Sequence, residues 1–457
     1  MASCLFYMAA NPKYVVLILG GAVVDFLIAL RLGATEDERK RRLLLALSLT
    51  FNLGMLAVFK YFDFWSTASA SIASALFGIE YTPFLLRWAL PVGISFFTFQ
   101  TMSYSIDVYR RKLEPKRSLL EFTAYVMFFP QLVAGPIVRA VEFLPQLDKE
   151  PALRREQVSR ALFLIGTGLV KKVAVADYLS SNLVDRVFAQ PELYTAPEVI
   201  IGLYAFTMQI YCDFSGYTDL ARGSALLMGF DLPENFDRPY QATNPAEFWR
   251  RWHMTLSRWL RDYLYFPLGG SRGGPVRAYF NLWLTMMLIG MWHGAAWTFV
   301  LYGFLQATMM VIHRFVSRNF GARASTAGAG SEGSGTIGEV EEREDAFALR
   351  AFKVFWVLQF VVFSRILFRA SSMDNARAVT ERIFSGTTST AQISLTLWAM
   401  LVVTFALHFT PQRWFRAIER GFLQLPAAVQ GLALGAVGAI LSQVATGEAA
   451  PYIYFQF

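Results

Sequence analysis

The chain has 457 residues, of which 55% are hydrophobic and only 17% are charged, with a formal net charge of +8. Soluble domains carry about 25% charged residues, so the composition argues against a soluble enzyme. The basic residues stand in short clusters between apolar runs, which favours cytoplasmic loops of a membrane protein over a nucleic-acid-binding surface. We therefore expect no nucleic-acid partner, and the two cysteines, Cys4 and Cys212, indicate no disulfide framework.

Apolar runs recur along the whole chain and predict membrane spans, because about 20 apolar residues cross the hydrocarbon core. No cleavable signal peptide stands out, so the first run is interpreted as a retained span. Together the runs predict an all-α polytopic membrane protein with about nine to twelve membrane segments. The runs interpreted as spans are residues 14–30, 43–59, 84–106, 352–363, 391–409 and 422–446.

Three further regions are less regular. Residues 122–138 contain Pro130 and Pro136, which predicts a broken or re-entrant segment. The runs at 161–170 and 199–212 are short and are interpreted as half-spans or buried helices. Residues 278–313 contain no Asp, Glu, Lys or Arg, which predicts two helices separated by a break at Gly290 or Gly294.

The loops give an expected orientation. Residues 31–42 and 110–117 are rich in arginine and lysine, whereas the intervening residues 63–82 contain neither. Loops rich in Lys and Arg stay on the cytoplasmic side, so both basic loops are predicted to be cytoplasmic. Residues 322–346 are rich in Gly, Ser and Ala and then acidic, which predicts a flexible exposed loop inserted into a single integral membrane domain over residues 1–457.

Residues 209–302 are dense in ionisable groups, which are functional candidates when they stand among membrane segments. At helical spacing, residues 248–260 predict one amphipathic helix. Its apolar face would carry Trp249, Trp252, His253, Leu256 and Leu260, and its polar face Arg250, Arg251, Ser257, Arg258 and Arg261.

Of the four histidines, His293 is the candidate base. It stands midway along the uncharged stretch 278–313, where exclusion of water would keep the imidazole neutral and able to take a proton from a hydroxyl. The residues alone leave open the alternative of a structural histidine bonded to a backbone carbonyl. His313 is interpreted as interfacial and His408 as packed. No HExxH or cysteine pair accompanies His253 and His293, so no metal site is expected.

Several motifs resemble the membrane-bound O-acyltransferase family, in its bacterial branch that acetylates polysaccharides such as alginate. The resemblance is specific over a motif core of residues 122–303, with a weaker match at 362–370. The matching motifs are Phe129–Arg139, Asp213–Asp219, Pro233–Tyr240, Phe248–His253, Leu260–Tyr265 and Trp292–Gly294.

The resemblance implies a ring of tilted and re-entrant helices around a central tunnel that joins the two faces of the bacterial inner membrane. It implies no bound cofactor, and acetyl-coenzyme A or another acetyl thioester as a cytoplasmic donor. A periplasmic acetyltransferase partner, or the enzyme itself, would complete the transfer to a polysaccharide hydroxyl. The remaining contacts would be with membrane lipid.

The family's invariant-type histidine corresponds to His293, the expected general base. His253 is the second expected catalytic residue, and it would orient or polarise the thioester or stabilise the oxyanion. Asp213 and Asp219 are expected to pair with buried arginines, and the arginines near His253 either attract coenzyme A phosphates or anchor the interface. The supporting tunnel residues are Trp252, Trp292, Arg250, Arg251, Asp213, Tyr217, Asp219, Asn235 and Asp262.

Two alternatives remain from the sequence. The same fold can pass D-alanine to teichoic acid, and a non-enzymatic polysaccharide transporter would also place polar residues along its path. The family usually has one more apolar helix before the position of Cys4, so either the start is misassigned or this helix is absent.

Overall fold

The computed structural model describes residues 1–9, 11–150, 153–320 and 347–445, together with Tyr452. Within these residues the chain forms helices joined by loops, with a single β-bridge between Phe236 and Trp252. This agrees with the predicted all-α membrane protein. The predicted flexible loop at 322–346 lies outside the described residues.

The N-terminal helices pack around a buried carboxyl group. Asp25 is fully buried and accepts hydrogen bonds from the Ser48 hydroxyl at 2.5 Å and the Asn52 amide at 2.8 Å, which satisfies its oxygens inside the bundle. The predicted span 84–106 is only half helical, because residues 79–92, including Pro91, run without regular structure. The helices are α1 (Ala2–Met8), α2 (Tyr14–Ala34), α3 (Glu38–Leu56), a π-helical turn (Ala57–Tyr61), α4 (Phe62–Phe77) and α5 (Ile94–Tyr109).

The central region contains the broken segment that was predicted and one long helix that was not. Residues 122–138 are broken between α6 and α7, as the prolines indicate. The run 199–212 was interpreted as a half-span or a buried helix, and it belongs to the largely buried 32-residue α11, which also contains the whole Asp213–Asp219 motif. The helices are α6 (Leu119–Val126), α7 (Phe129–Leu132), α8 (Ala140–Leu147), α9 (Arg155–Leu169), α10 (Asp185–Ala189), α11 (Ala196–Leu227), α12 (Pro245–Arg251) and α13 (Met254–Leu260).

Two helices follow α13 and its π-helical extension Arg261–Tyr265, and they meet at a tight crossing. The chain breaks at Gly294, one of the two predicted positions, while Gly290 lies inside the helix and packs against Gly303. Contact between glycines lets helix backbones approach closely inside a membrane. The C-terminal helices are α14 (Pro275–His293), α15 (Trp297–Phe320), α16 (Phe347–Arg369), α17 (Met373–Ile383), α18 (Leu395–Phe409), α19 (Gln412–Gln424) and α20 (Ala427–Val444).

Among the residues that the structure describes, five helical segments are long and apolar enough to cross a bilayer, and α18 with α19, bent by 93°, makes a sixth if the bent pair is one span. The protein is therefore a multi-pass membrane protein. Helices such as α5, α11 and α14 are shorter or less apolar than these five segments. The predicted total of nine to twelve segments, which counts them, stays a prediction. The five segments are Tyr14–Ala34, Glu38–Phe77, Trp297–Phe320, Phe347–Arg369 and Ala427–Val444.

The two basic loops lie together at one end of the bundle, which we call the basic face (residues 31–42 and 110–117). Arg111 forms an ion pair with Glu36, and the Tyr109 hydroxyl donates to Glu38 at 2.6 Å. The buried Arg41 donates to the carbonyls of Leu32 and Tyr109. This common position is what the orientation argument requires of loops on one side of a membrane.

The crossing of α14 and α15 gives a first prediction. A Cβ atom added at Gly290 would lie 2.2 Å from the Gly303 Cα atom, so Gly290→Ala must push the helices apart. Overpacking of this kind costs about 1–3 kcal/mol, and we expect a lower melting temperature in detergent.

The matched control is Gly435→Ala in α20, where no atom lies within 4 Å of the added Cβ. Alanine is favoured over glycine within a helix by about 1 kcal/mol, so this variant should melt at or above the wild-type temperature. A Gly290→Ala protein that melts like the Gly435→Ala protein would show that the crossing tolerates separation.

Candidate active site

A sharp break separates α12 from α13, where a single amphipathic helix over residues 248–260 was predicted. That prediction is wrong, because Trp252 is extended and pairs with Phe236, and His253 adopts a left-handed conformation at φ +43°. Such a conformation is uncommon for a residue other than glycine and needs support from its surroundings. The Asn235 carbonyl supplies it by accepting the Met254 N–H at 3.0 Å.

A chain of hydrogen bonds fixes the His253 ring. The Ile137 N–H donates to the Thr255 hydroxyl at 2.9 Å, and this hydroxyl donates to Asn235 Oδ1 at 2.6 Å. Asn235 Oδ1 also accepts the Thr255 N–H at 3.2 Å and lies 3.3 Å from His253 Nδ1. Because backbone N–H groups only donate, the amide oxygen must face them, and His253 Nδ1 is the donor. In this tautomer the neutral ring presents Nε2 as an acceptor.

His293 is the last residue of α14, and a half-buried cation caps that helix end. The last carbonyls of a helix have no partner within it. Here the Lys60 ammonium donates to the Trp292 and His293 carbonyls at 2.6 and 3.2 Å, and the Tyr61 hydroxyl donates to the Met291 carbonyl at 3.0 Å. A cation at a helix C-terminus is also favoured by the helix dipole. Lys60 thus fixes the backbone that carries His293.

The two candidate histidines both lie against one indole ring, that of Trp292. The centroid of the Trp292 ring lies 5.9 Å from that of His253 and 5.1 Å from that of His293. The imidazoles are buried, with 0% and 4% of each residue exposed. Phe368 stacks edge-on against His293 at 4.9 Å and brings α16 to the same cluster.

The site lies far from the basic face along the chain. His253 is nine residues from Asp262, which gives about 13 Å of helix. His293 stands eighteen residues after Pro275, which gives about 27 Å of helix. Asp262 lies next to the basic face, since its carbonyl accepts a hydrogen bond from Arg110 of that face at 3.2 Å. Its carboxylate pairs with Arg139 at 2.8 Å.

Asp213 and Asp219 were expected to pair with arginines, but their partners are lysines. Lys172 bonds to Asp213 at 2.7 Å and Lys171 to Asp219 at 2.6 Å. Both lysines lie in the π-helical segment after α9, so these ion pairs fasten that segment to α11. Tyr217 lies on the same helix, with its ring 4.8 Å from that of Tyr452.

The two arginines before His253, Arg250 and Arg251, lie in different environments. Arg251 pairs with Glu247 at 2.6 Å and lies 3.8 Å from Asp237, so it holds α12 against the preceding loop. Arg250 is exposed. Of the predicted supporting residues, the histidine cluster thus brings together Trp252, Trp292 and Asn235.

Two cations at the cluster were not predicted from the sequence. Lys60 follows directly after the uncharged run 43–59, and an isolated cation there was the signal for it. Arg365 lies in the weaker motif match at 362–370, is 1% exposed, and stacks over Trp252 at 4.7 Å and Phe368 at 5.3 Å. The positive charges of Lys60 and Arg365 both interact electrostatically with the His293 ring.

The model of the membrane-bound O-acyltransferase family matches residues 41–326, which is more than half of the chain. The chain belongs to the membrane-bound O-acyltransferase family. The matched residues include Lys60, Asn235, His253 and His293, whereas Arg365 lies beyond them.

Curated relatives of this acyltransferase are named for acyl transfer to three different polymers: alginate, peptidoglycan and teichoic acid. A probable alginate O-acetylase from Pseudomonas aeruginosa is 36% identical over 84% of the chain and 69% of its own length. A peptidoglycan O-acetyltransferase from Helicobacter pylori is 37% identical over 69% of the chain and 64% of its length. A teichoic acid D-alanyltransferase from Bacillus subtilis is 29% identical over 50% of the chain and 60% of its length. The chain therefore spans about two thirds of the length of these relatives.

The bonding around Asn235 gives a second prediction. Thr255→Val removes the hydroxyl that joins the Ile137 N–H to Asn235 and leaves that buried N–H without its acceptor. A buried group that loses its partner costs about 1–3 kcal/mol, so the variant should melt below the wild type. Thr67→Val, which removes an exposed hydroxyl bonded to its own helix, should change the melting temperature little. Equal melting of the two variants would contradict the assigned network.

Proposed function

We propose that this acyltransferase takes an acetyl group from a thioester at the basic face and transfers it towards a hydroxyl of an exported polysaccharide. The observation that carries the proposal is the buried pair His253 and His293, whose rings both lie against Trp292. A neutral imidazole excluded from water is suited to general-base catalysis on a hydroxyl.

In the proposed step, the acceptor hydroxyl oxygen attacks the thioester carbonyl carbon while its proton passes to His293. The carbonyl electrons move onto oxygen and form a tetrahedral oxyanion. When the oxyanion collapses, the carbon–sulfur bond breaks and the thiolate takes the proton back from the imidazolium. The products are an acetyl ester and a free thiol. His253, which presents Nε2 as an acceptor, would orient the incoming thioester donor.

The expected sidedness follows from the basic face. Loops rich in Lys and Arg remain in the cytoplasm, which would place the donor side there and the protein in the bacterial inner membrane. Acetyl-coenzyme A is the proposed donor, since its phosphates suit a basic entrance. A tunnel would then lead from this face past His253 to His293.

The names of the relatives support a glycan acceptor. Both alginate and peptidoglycan carry sugar hydroxyl groups, and these relatives are 36% and 37% identical to the chain over more than two thirds of it. The teichoic acid D-alanyltransferase is less similar and matches only half of the chain. We therefore favour acetyl over D-alanyl transfer. The final transfer would be made directly or through a periplasmic acetyltransferase partner.

The role of His293 gives a third prediction. His293→Ala should lower the ester-linked acetate of surface glycans by about 10²-fold or more, since a positioned base contributes about 10²–10⁴-fold. The measurement is mass spectrometry of glycans from cells that carry the gene, the variant or neither. His313→Gln, a half-buried histidine near the end of α15, should leave acetylation unchanged.

Other results of the same measurement separate the alternatives. Normal acetylation by a stably inserted His293→Ala protein would contradict the mechanism. Loss of ester-linked D-alanine in place of acetate would indicate the teichoic acid reaction. Reduced polysaccharide export with unchanged acetylation would indicate a transporter.

The cap on α14 gives a fourth prediction. Lys60→Met removes both bonds to the carbonyls of Trp292 and His293 and should let the imidazole move. A displacement of about 1 Å can cost 10²-fold in rate, so we expect kcat for acetyl-coenzyme A in proteoliposomes to fall about 10–10²-fold while KM changes little. Lys60→Arg should recover part of the rate. The exposed Lys13→Met is the control, and an unchanged kcat in Lys60→Met would show that the cap does not position His293.

A further inference from the structure

The strongest feature beyond the histidines is the buried cation Arg365, which lies on α16 one helical turn before Phe368. Resting on the proposed function, we propose that Arg365 is a catalytic residue that stabilises the oxyanion of the acyl-transfer step. Its guanidinium lies over the ring of Trp252, the residue before His253, and over the ring of Phe368 on its own helix. Phe368 in turn contacts the His293 ring.

Among the described residues, no carboxylate forms an ion pair with Arg365. The nearby groups are aromatic, and they include Tyr240, whose hydroxyl interacts with the guanidinium. An uncompensated buried charge is costly, and stacking of a desolvated cation on aromatic rings offsets only part of that cost. The arrangement is therefore costly in the resting protein, and a negative charge that develops next to Arg365 would relieve it.

The geometry of the guanidinium suits an oxygen ligand. Its Nε and Nη2 atoms are buried and have no hydrogen-bond partner within the part of the chain that the structure describes. These two N–H groups lie on one edge of the guanidinium and form the side-on fork that holds oxyanions. Donors already in place before charge develops stabilise a transition state without reorganisation.

The histidine tautomer points to the same residue. With Nδ1 donating to Asn235, the neutral His253 accepts at Nε2 and cannot donate there to an oxyanion. His293 is occupied as the base. In the proposed step, the carbonyl electrons move onto the thioester oxygen next to the Arg365 fork, and they return to the carbon when the thiolate leaves.

The test compares Arg365→Met with Arg369→Met, which lies one helical turn further along α16. The control arginine has a carboxylate partner, Asp185, at 2.5 Å. Each purified full-length variant is placed in proteoliposomes, and the release of thiol from acetyl-coenzyme A and the melting temperature are both measured. Methionine keeps a long side chain over Trp252 but removes the charge and the fork.

We expect Arg365→Met to lower kcat about 10²–10³-fold, the usual effect of losing one oxyanion donor, with KM for acetyl-coenzyme A within a few-fold of wild type. Its melting temperature should equal or exceed that of wild type, because replacing an uncompensated buried charge with an apolar side chain is often stabilising. Arg365→Lys should recover part of kcat, and Arg369→Met should keep it.

Two outcomes would overturn the role of Arg365: a normal kcat in Arg365→Met, or a loss of kcat together with a large fall in melting temperature that Arg369→Met does not show. Loss of activity in His293→Ala with full activity in Arg365→Met would reject this inference and leave the proposed function standing. Full activity in His293→Ala would reject the proposed mechanism instead. If wild-type vesicles release no thiol above empty vesicles, acetyl-coenzyme A is rejected as the donor. In that case the melting temperature still tests Arg365, because a value for Arg365→Met below that of wild type would reject the claim that its buried charge is uncompensated.

Discussion

Two helix ends inside the bundle carry the candidate site, and the need to satisfy their backbone groups determines the structure around it. Within a membrane protein, unbonded N–H and C=O groups are costly, so helix ends away from water require partners. The start of α13 is held by Asn235, and the end of α14 is held by Lys60 and Tyr61. Each end presents one histidine, and both imidazole rings lie against Trp292. The groups that cap the helices are thus the groups that orient the imidazoles.

Hydrogen bonds in this arrangement connect motifs that are far apart in the sequence. The Ile137 N–H, from the broken segment after α7, reaches His253 through Thr255 and Asn235. Lys60 reaches the end of α14 from the π-helical turn after α3. The site is rich in positive charge, because Lys60 and Arg365 both approach His293 from separate helices. Such a site favours reactions in which negative charge develops on oxygen, as it does in acyl transfer.

Apolar run length and motif order predicted the membrane class, the family and a break at Gly290 or Gly294, and they singled out the two histidines that lie together against Trp292. They did not predict the break at His253, because helical periodicity across residues 248–260 is intact and the tertiary pairing of Trp252 with Phe236 overrides it. The length of α11 was missed for a related reason. In the sequence, Asp213 and Asp219 follow an apolar run and resemble the end of a helix, but Lys171 and Lys172 form ion pairs with them and the helix continues. The roles of Lys60 and Arg365 depend on contacts with Trp292 and Trp252, which are far from them in the sequence, and spacing along the chain does not reveal such contacts.

The central claim is that a thioester carbonyl reaches the buried His293. The most direct measurement is an electron cryomicroscopy structure of the full chain in nanodiscs with a ketone analogue of acetyl-coenzyme A, whose carbon–carbon bond replaces the carbon–sulfur bond. We predict density for the nucleotide at the basic face, and for the ketone carbon within about 3.5 Å of the position that an attacking hydroxyl would take beside His293. Density for the ketone at a surface far from both histidines, with Trp292 and Phe368 closing every approach to them, would contradict it.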